Sequence, residues 1–205
     1  MNRGTIKKLH RRYRVPEHIG SHMQKVAEVA VFIGRSINQK KGRRAVKINL
    51  VRNAALLHDI LKVCEFKTPD RIFKDSKYDS RTKQIWISLK SRYRGMGHIR
   101  AAVSLLIDLK EPILAQIIQK HDHACLIDPN TRNRPQTWEE KILYYADKRV
   151  LHDKIVSMEY RFKEGRQRYL GNKTISRPEA EIIKKAGQLE KEICKAAGIR
   201  PKDIS

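Results

Sequence analysis

Apolar residues recur every three or four positions through most of the chain, and that spacing predicts helices. Val26, Val29, Ala30, Ile33 and Ile37 form the clearest stripe, so a first helix is expected over about residues 17–39, with Pro16 suited to its first turn. Behind the turn Gln39-Lys40-Lys41-Gly42-Arg43-Arg44, the residues Ile48, Val51, Ala55 and Leu56 predict a second helix over about 47–62. Gly95-Met96-Gly97 breaks the chain before a third, about 98–110, with Ala102, Leu105, Leu106 and Leu109 on one face. Pro112 opens a fourth, ending at His121. Thr137-Trp138-Glu139-Glu140 reads as the capping box of a fifth, which carries Leu143, Ala146, Asp147 and Val150 on one face. Helix is expected to continue over 153–164 and to break between Gly165 and Asn172. Ser176-Arg177-Pro178-Glu179 then starts a last helix, striped with Ile182, Ala186, Leu189 and Ile193 and stopped by Gly198. Two stretches lack this period. Residues 1–14 are a basic arm, disordered or in contact with phosphate. In 63–97, Ile85, Ile87 and Leu89 alternate, which suits a short strand or hairpin. The expected fold is all-α: five core helices plus a C-terminal helix.

Several ionisable residues fall where this pattern should be buried. The apolar run Asn53 to Leu57 ends abruptly in His58-Asp59. His22, His98, His121 and Asp147 are likewise set in apolar helical stretches, where an unpaired polar group is costly. A divalent cation would satisfy imidazole nitrogen and carboxylate oxygen together. A helix-end Asp in solvent beside a hydrogen-bonded His is the alternative for the His58-Asp59 pair, and a buried salt bridge is the alternative for Asp147. His18, one turn before His22, and His123 compete as ligands.

Taken in order, His22, His58-Asp59, His98, His121 and Asp147 resemble the HD superfamily of metal-dependent phosphohydrolases, in the HDIG-like branch that holds two metals. His58-Asp59-Ile60-Leu61-Lys62 is similar to that branch's HD-I-x-K signature, with Leu61 where Gly or Ala is commoner, and Tyr145-Ala146-Asp147-Lys148 is similar to its closing A-D-K. The resemblance covers roughly residues 18–155. It implies a basic N-terminal arm (1–17), an HD-domain helical bundle (18–155), and a helical C-terminal extension (156–205) packed on the domain or in a homodimer. It also implies two divalent ions per chain, of Fe, Mn, Zn, Ni, Co or Mg. His22, His58, Asp59 and Asp147 would share one, and Asp59, His98 and His121 the other. Asp59 and Lys62 would be the catalytic residues, with Lys62 on a substrate phosphate. The Gly-Tyr-Pro triplet of the cyclic-di-GMP branch does not follow His121, so that substrate is not expected.

Charge widens the set of partners. The formal net charge is +23, with Lys and Arg spread along the whole chain. Such a surface attracts polyanions: a phosphorylated small molecule or nucleotide, nucleic acid, or anionic lipid. The competing reading is a basic RNA- or DNA-binding helical module whose metal site is structural. In 63–97, cations interleave with Phe66, Phe73, Tyr78, Trp86 and Tyr93, a pattern able to hold phosphate and base or simply to pin a loop. No apolar run is long enough to span a membrane, the N-terminus lacks a secretory pattern, and Cys64, Cys125 and Cys194 are too scattered for a disulfide framework. A cytoplasmic setting is therefore expected.

Overall fold

One broad face of α2 (Glu17–Lys41) carries Met23, Val26, Ala27, Ala30, Ile33 and Ile37, and all are buried. In this computed structural model, which describes residues 1–42, 44–66, 78–171 and 174–204, the other helices are arranged around that face. α3 (Ile48–Ala55) lies against α2. The approach is close enough that a Cβ on Gly34 would meet the Ile48 side chain at 2.9 Å. α5 (His98–Asp108) and α6 (Pro112–Gln119) pack as a pair. α7 (Trp138–Lys148) runs through the middle, touching α2, α3 and α6, with Ile142 to Ala146 fully buried. Its predicted capping box, Thr137 with Glu140, is formed. α9 (Arg177–Ala197) starts on the box Ser176–Glu179 and ends at Gly198, whose φ of +70° suits glycine. Its Ala186, Leu189 and Ile193 are buried, and it packs on α2 and α7.

The all-α expectation holds, and the chain adds helices to it. Residues 80–92 form α4 (Ser80–Arg92), not a strand or hairpin. The Asp79 carboxylate caps it by accepting from the Thr82 N–H, and Thr82, Trp86 and Leu89 face inward while Ile87 is 51% exposed. The helical frame therefore overrode the alternation of Ile85, Ile87 and Leu89. Residues 67–77, the rest of the basic aromatic stretch and its Phe73, lie outside the described residues. The basic arm contains α1 (Arg3–Arg12), capped by Asn2 and held by buried Ile6 and Leu9. The Trp86 indole N–H donates to the carbonyl of Arg14, tying the α1–α2 turn to α4.

The second predicted helix ends early, at Ala55, so Leu56 to Leu61 are turns that keep His58 and Asp59 off a helix. After α7, Val150–Leu151 (β1) pairs with Lys154–Ile155 (β2) as a small antiparallel hairpin where continuing helix was expected. α8 (Met158–Leu170) follows and runs through Gly165 without the predicted break. Among the described residues, no helix is long and apolar enough to cross a membrane.

Candidate metal centre

Five segments deliver side chains to one cleft. α2 brings His22, the turns after α3 bring His58 and Asp59, the N-terminus of α5 brings His98, the end of α6 brings His121, and the end of α7 brings Asp147.

Two of the histidines are aimed by the helix ends that precede them. His58 Nδ1 donates to the Ala55 carbonyl at 2.8 Å, and His121 Nδ1 to the Ile118 carbonyl at 2.6 Å. Each bond goes to a carbonyl in the last turn of a helix and leaves Nε2 as the lone-pair nitrogen. His58 Nε2 is buried with no hydrogen-bond partner. It lies 3.5 Å from Asp147 Oδ1 and 3.8 Å from Asp59 Oδ2. The ring is 5.1 Å from that of His121 and 5.4 Å from that of His22, centre to centre.

The other two histidines are gripped from outside. His22 Nδ1 donates to the carbonyl of His152 in the hairpin turn (2.9 Å), and its Nε2 lies 3.0 Å from Asp147 Oδ1. His98 Nδ1 donates to Glu65 at 2.5 Å, and its Nε2 faces Asp59 Oδ1 at 2.9 Å. Donation of one ring nitrogen to a carbonyl or carboxylate is the usual way a ligand histidine is oriented.

The electrostatics follow from this crowding. Burial works to raise the Asp59 carboxyl, but the neighbouring His58, the His98 bond and Lys62 outweigh it and hold it well below the usual range. Burial is likewise outweighed at Asp147, by Lys148, His22 and His58. His22 and His98 rise despite burial, through their bonds to Asp147 and Asp59. His121, facing no carboxylate at bonding distance, is pushed by burial and then by His58 down to about 3. An imidazole that resists protonation remains a ligand.

Among the described residues, two sets of donor atoms converge to within 4.8 Å of one another: His22, His58 and Asp59, and Asp59, His98 and His121. Asp59 belongs to both. Asp147 adjoins the first through His22. A buried nitrogen without a partner, inside a set of imidazoles and carboxylates, fits a transition-metal or Zn-type cation.

The family model of the HD domain matches residues 19–150. The chain belongs to the HD domain family. Comparison with curated proteins and with solved structures finds no match. HD domains as a class bind divalent metals and are generally metal-dependent hydrolases, and the His and Asp groups of this chain could hold such an ion.

Lys62 stands at the edge of the site, 3.1 Å from Glu65 and 3.2 Å from His98 Nδ1. His18 and His123 join neither donor set: His18 stacks on Phe66, and the His123 ring lies 5.5 Å from that of Phe162. Sequence reasoning overlooked three contributors. Glu65, three residues after Lys62, holds both the ring and the backbone N–H of His98. Lys148, buried at 3% exposure, bonds Asp147 Oδ2 and the His121 carbonyl; it was in plain view in the A-D-K triplet. The third is α8, whose Arg161, Phe162 and Arg166 line the cleft.

Proposed function

We propose that this HD chain is a metal-dependent phosphohydrolase, cleaving a nucleotide-type phosphate ester or anhydride with a metal-activated water. The observation that carries the reading is the pair of donor sets sharing Asp59 in a cleft of about 640 Å³, with the His58 Nε2 lone pair buried and unclaimed. His22, His58, Asp59 and Asp147 would hold one divalent ion, and Asp59, His98 and His121 a second. Bound there, such ions acidify water and neutralise phosphate oxygens. The chain's own groups then have separable tasks. Asp59 fixes the spacing of the two half-sites. Lys62, steadied by Glu65, offers its ammonium to a phosphate oxygen at the rim. Glu65 keeps the His98 ring turned so that Nε2 faces inward. Lys148 balances the charge of Asp147 and locks it against the His121 backbone.

The test is turnover of bis-p-nitrophenyl phosphate by metal-loaded protein, with and without chelator, alongside metal analysis by mass spectrometry. Chelator-sensitive turnover with two transition-metal equivalents per chain is expected. Metal-free protein that turns over at the same rate sinks the proposal.

One observation favours a second reading. Arg11, Arg12, Arg14, Arg81 and Arg92 line a shallow groove between the α1–α2 turn and α4, of about 660 Å³. A groove of that charge suits a nucleic-acid backbone. Salt-sensitive RNA binding without any phosphodiester turnover would favour it over the hydrolase.

A further inference from the structure

α8 and α9 fall outside the residues matched by the HD family, yet they wall one side of the cleft. The entry to α8 is fixed in place. The hairpin before it turns at His152, where φ is +57° and the carbonyl accepts from His22. The Arg149 Nε then donates to the carbonyl of Val156 at 2.7 Å. The segment leading into α8 is thus tied to His22 and to the end of α7.

From that wall Arg161 and Arg166 reach the cleft, with side chains only 20% and 23% exposed. The Nε of Arg161 is buried without a hydrogen-bond partner, and the Nε of Arg166 is ion-paired with Glu179 Oε1. A guanidinium has five N–H donors and no acceptor. The nearest carboxylates answer only part of that demand: Glu164 lies 3.7 Å from Arg161, and Glu179 lies 3.1 Å from Arg166. Withdrawing a guanidinium nitrogen from water without a partner is costly, and a phosphate, with several acceptor oxygens in bidentate geometry, would relieve it and add to what the carboxylates supply.

These arginines enter the cleft from α8, whereas Lys62 lies against His98 beside the metal ligands. The cleft is also larger than one phosphate requires, and Phe162, Ile182 and Ile183 give it an apolar lining suited to a base.

We infer that Arg161 and Arg166 bind a second phosphate of the substrate, so that the chain acts on nucleotides carrying at least one phosphate beyond the one cleaved. The inference rests on the hydrolase reading of the centre. It adds a specificity determinant supplied by helices that the HD match does not include.

Binding of AMP and of its two-phosphate analogue, adenosine 5′-methylenediphosphate, to the metal-loaded full chain tests it by calorimetry. The wild type should prefer the analogue by at least about tenfold, the scale of one well-made charged contact. In Arg161→Gln and Arg166→Gln that preference should fall below about threefold, with circular dichroism and metal content confirming folded, loaded protein. Arg166→Gln also breaks the bond between α8 and α9, so Glu179→Gln is the companion variant. It breaks the same bond but frees the arginine, and should keep or increase the preference. Equal wild-type affinity for the two ligands, a preference untouched by both arginine variants, or a Glu179→Gln loss as large as that of Arg166→Gln would each overturn the inference. Phosphodiester turnover without any preference would overturn it alone; a preference without turnover would support the second-phosphate contact but overturn the hydrolase reading, and with it the claim that such nucleotides are cleaved.

Discussion

Asp147 and Arg149 sit two residues apart near the end of α7, and a helix turns them to opposite sides. Each enters a buried polar cluster, and the clusters differ in kind. On the Arg149 side every guanidinium nitrogen finds an acceptor: Nε the carbonyl of Val156, one terminal nitrogen the Tyr145 hydroxyl at 2.7 Å, the other the carbonyl of Pro201 at 3.0 Å. The Tyr145 hydroxyl in turn donates to Glu190 at 2.6 Å. On the Asp147 side, acceptor atoms crowd one another and His58 Nε2, 3.5 Å from Asp147 Oδ1, makes no hydrogen bond. A cluster that satisfies itself is architecture. One whose lone pairs converge and remain unanswered asks for a cation.

The sharpest way to break this contrast is Asp59→Ala. It removes the carboxylate common to both donor sets, and with it the negative charge between the two proposed cations. At least one metal should be lost, phosphodiester turnover should disappear, and the thermal midpoint should fall because bound metal adds to folding stability. Metal content and turnover equal to wild type would end the reading of Asp59 as the shared ligand.

Arg149→Met probes the self-satisfied side. It leaves Tyr145 and Glu190 without their cation, so urea denaturation should show a loss of about 3 kcal/mol. Metal per folded chain should stay the same. Loss of metal with stability intact would show that the two sides of α7 are one network.

Glu140, at the other end of α7, is a second satisfied group. It accepts from the Gln136 and Thr137 backbone, from Lys120 at 3.0 Å and from Gln116. Burial works to raise its carboxyl, but these bonds outweigh it and hold it below its ordinary 4.5. A depressed folded-state value gives stability that is complete above the unfolded value and is lost as pH falls through the folded one. Glu140→Gln should therefore cost about 2 kcal/mol near neutrality, and the difference from wild type should shrink once pH drops below 4.5. A difference constant across that range would mean the charge is not what matters.

The smallest effect belongs to His123→Ala. Its ring meets Phe162 and is in neither donor set, so metal content should be unchanged and stability should shift by no more than about 0.5 kcal/mol. Loss of a metal would place His123 among the ligands.

Much of this was legible before any coordinates. The stripe from Val26 to Ile37 located α2, and the ordered imidazoles and carboxylates from His22 to Asp147 located the cleft, because both depend on residue type at fixed spacing. What escaped depends on contacts distant in sequence. The run Ala54 to Leu61 is apolar enough to read as helix, yet the helix stops at Ala55 and the His58 ring bonds that residue's carbonyl. Alternation at Ile85, Ile87 and Leu89 suggested a strand until Trp86 found its acceptor at Arg14, far back in the chain. The hairpin at 150–155 is only two residues a side, too short to carry a period.

The bond between His22 and Asp147 joins residues 125 positions apart. At equilibrium such a span is tolerable, since each doubling of loop length costs only about 0.6 kcal/mol more. In time it matters more. α2 with α3, and α5 with α6, are neighbours along the chain and can dock early, whereas donors from both ends of the domain meet only when the bundle has closed. If the proposed cation binds, it arrives at a finished site. It should then contribute nothing to the speed of folding and instead raise the barrier to leaving the native state. Metal-stripped protein should refold at the rate of the loaded form but unfold faster, which stopped-flow measurements in urea would register as a change in one arm of the chevron alone.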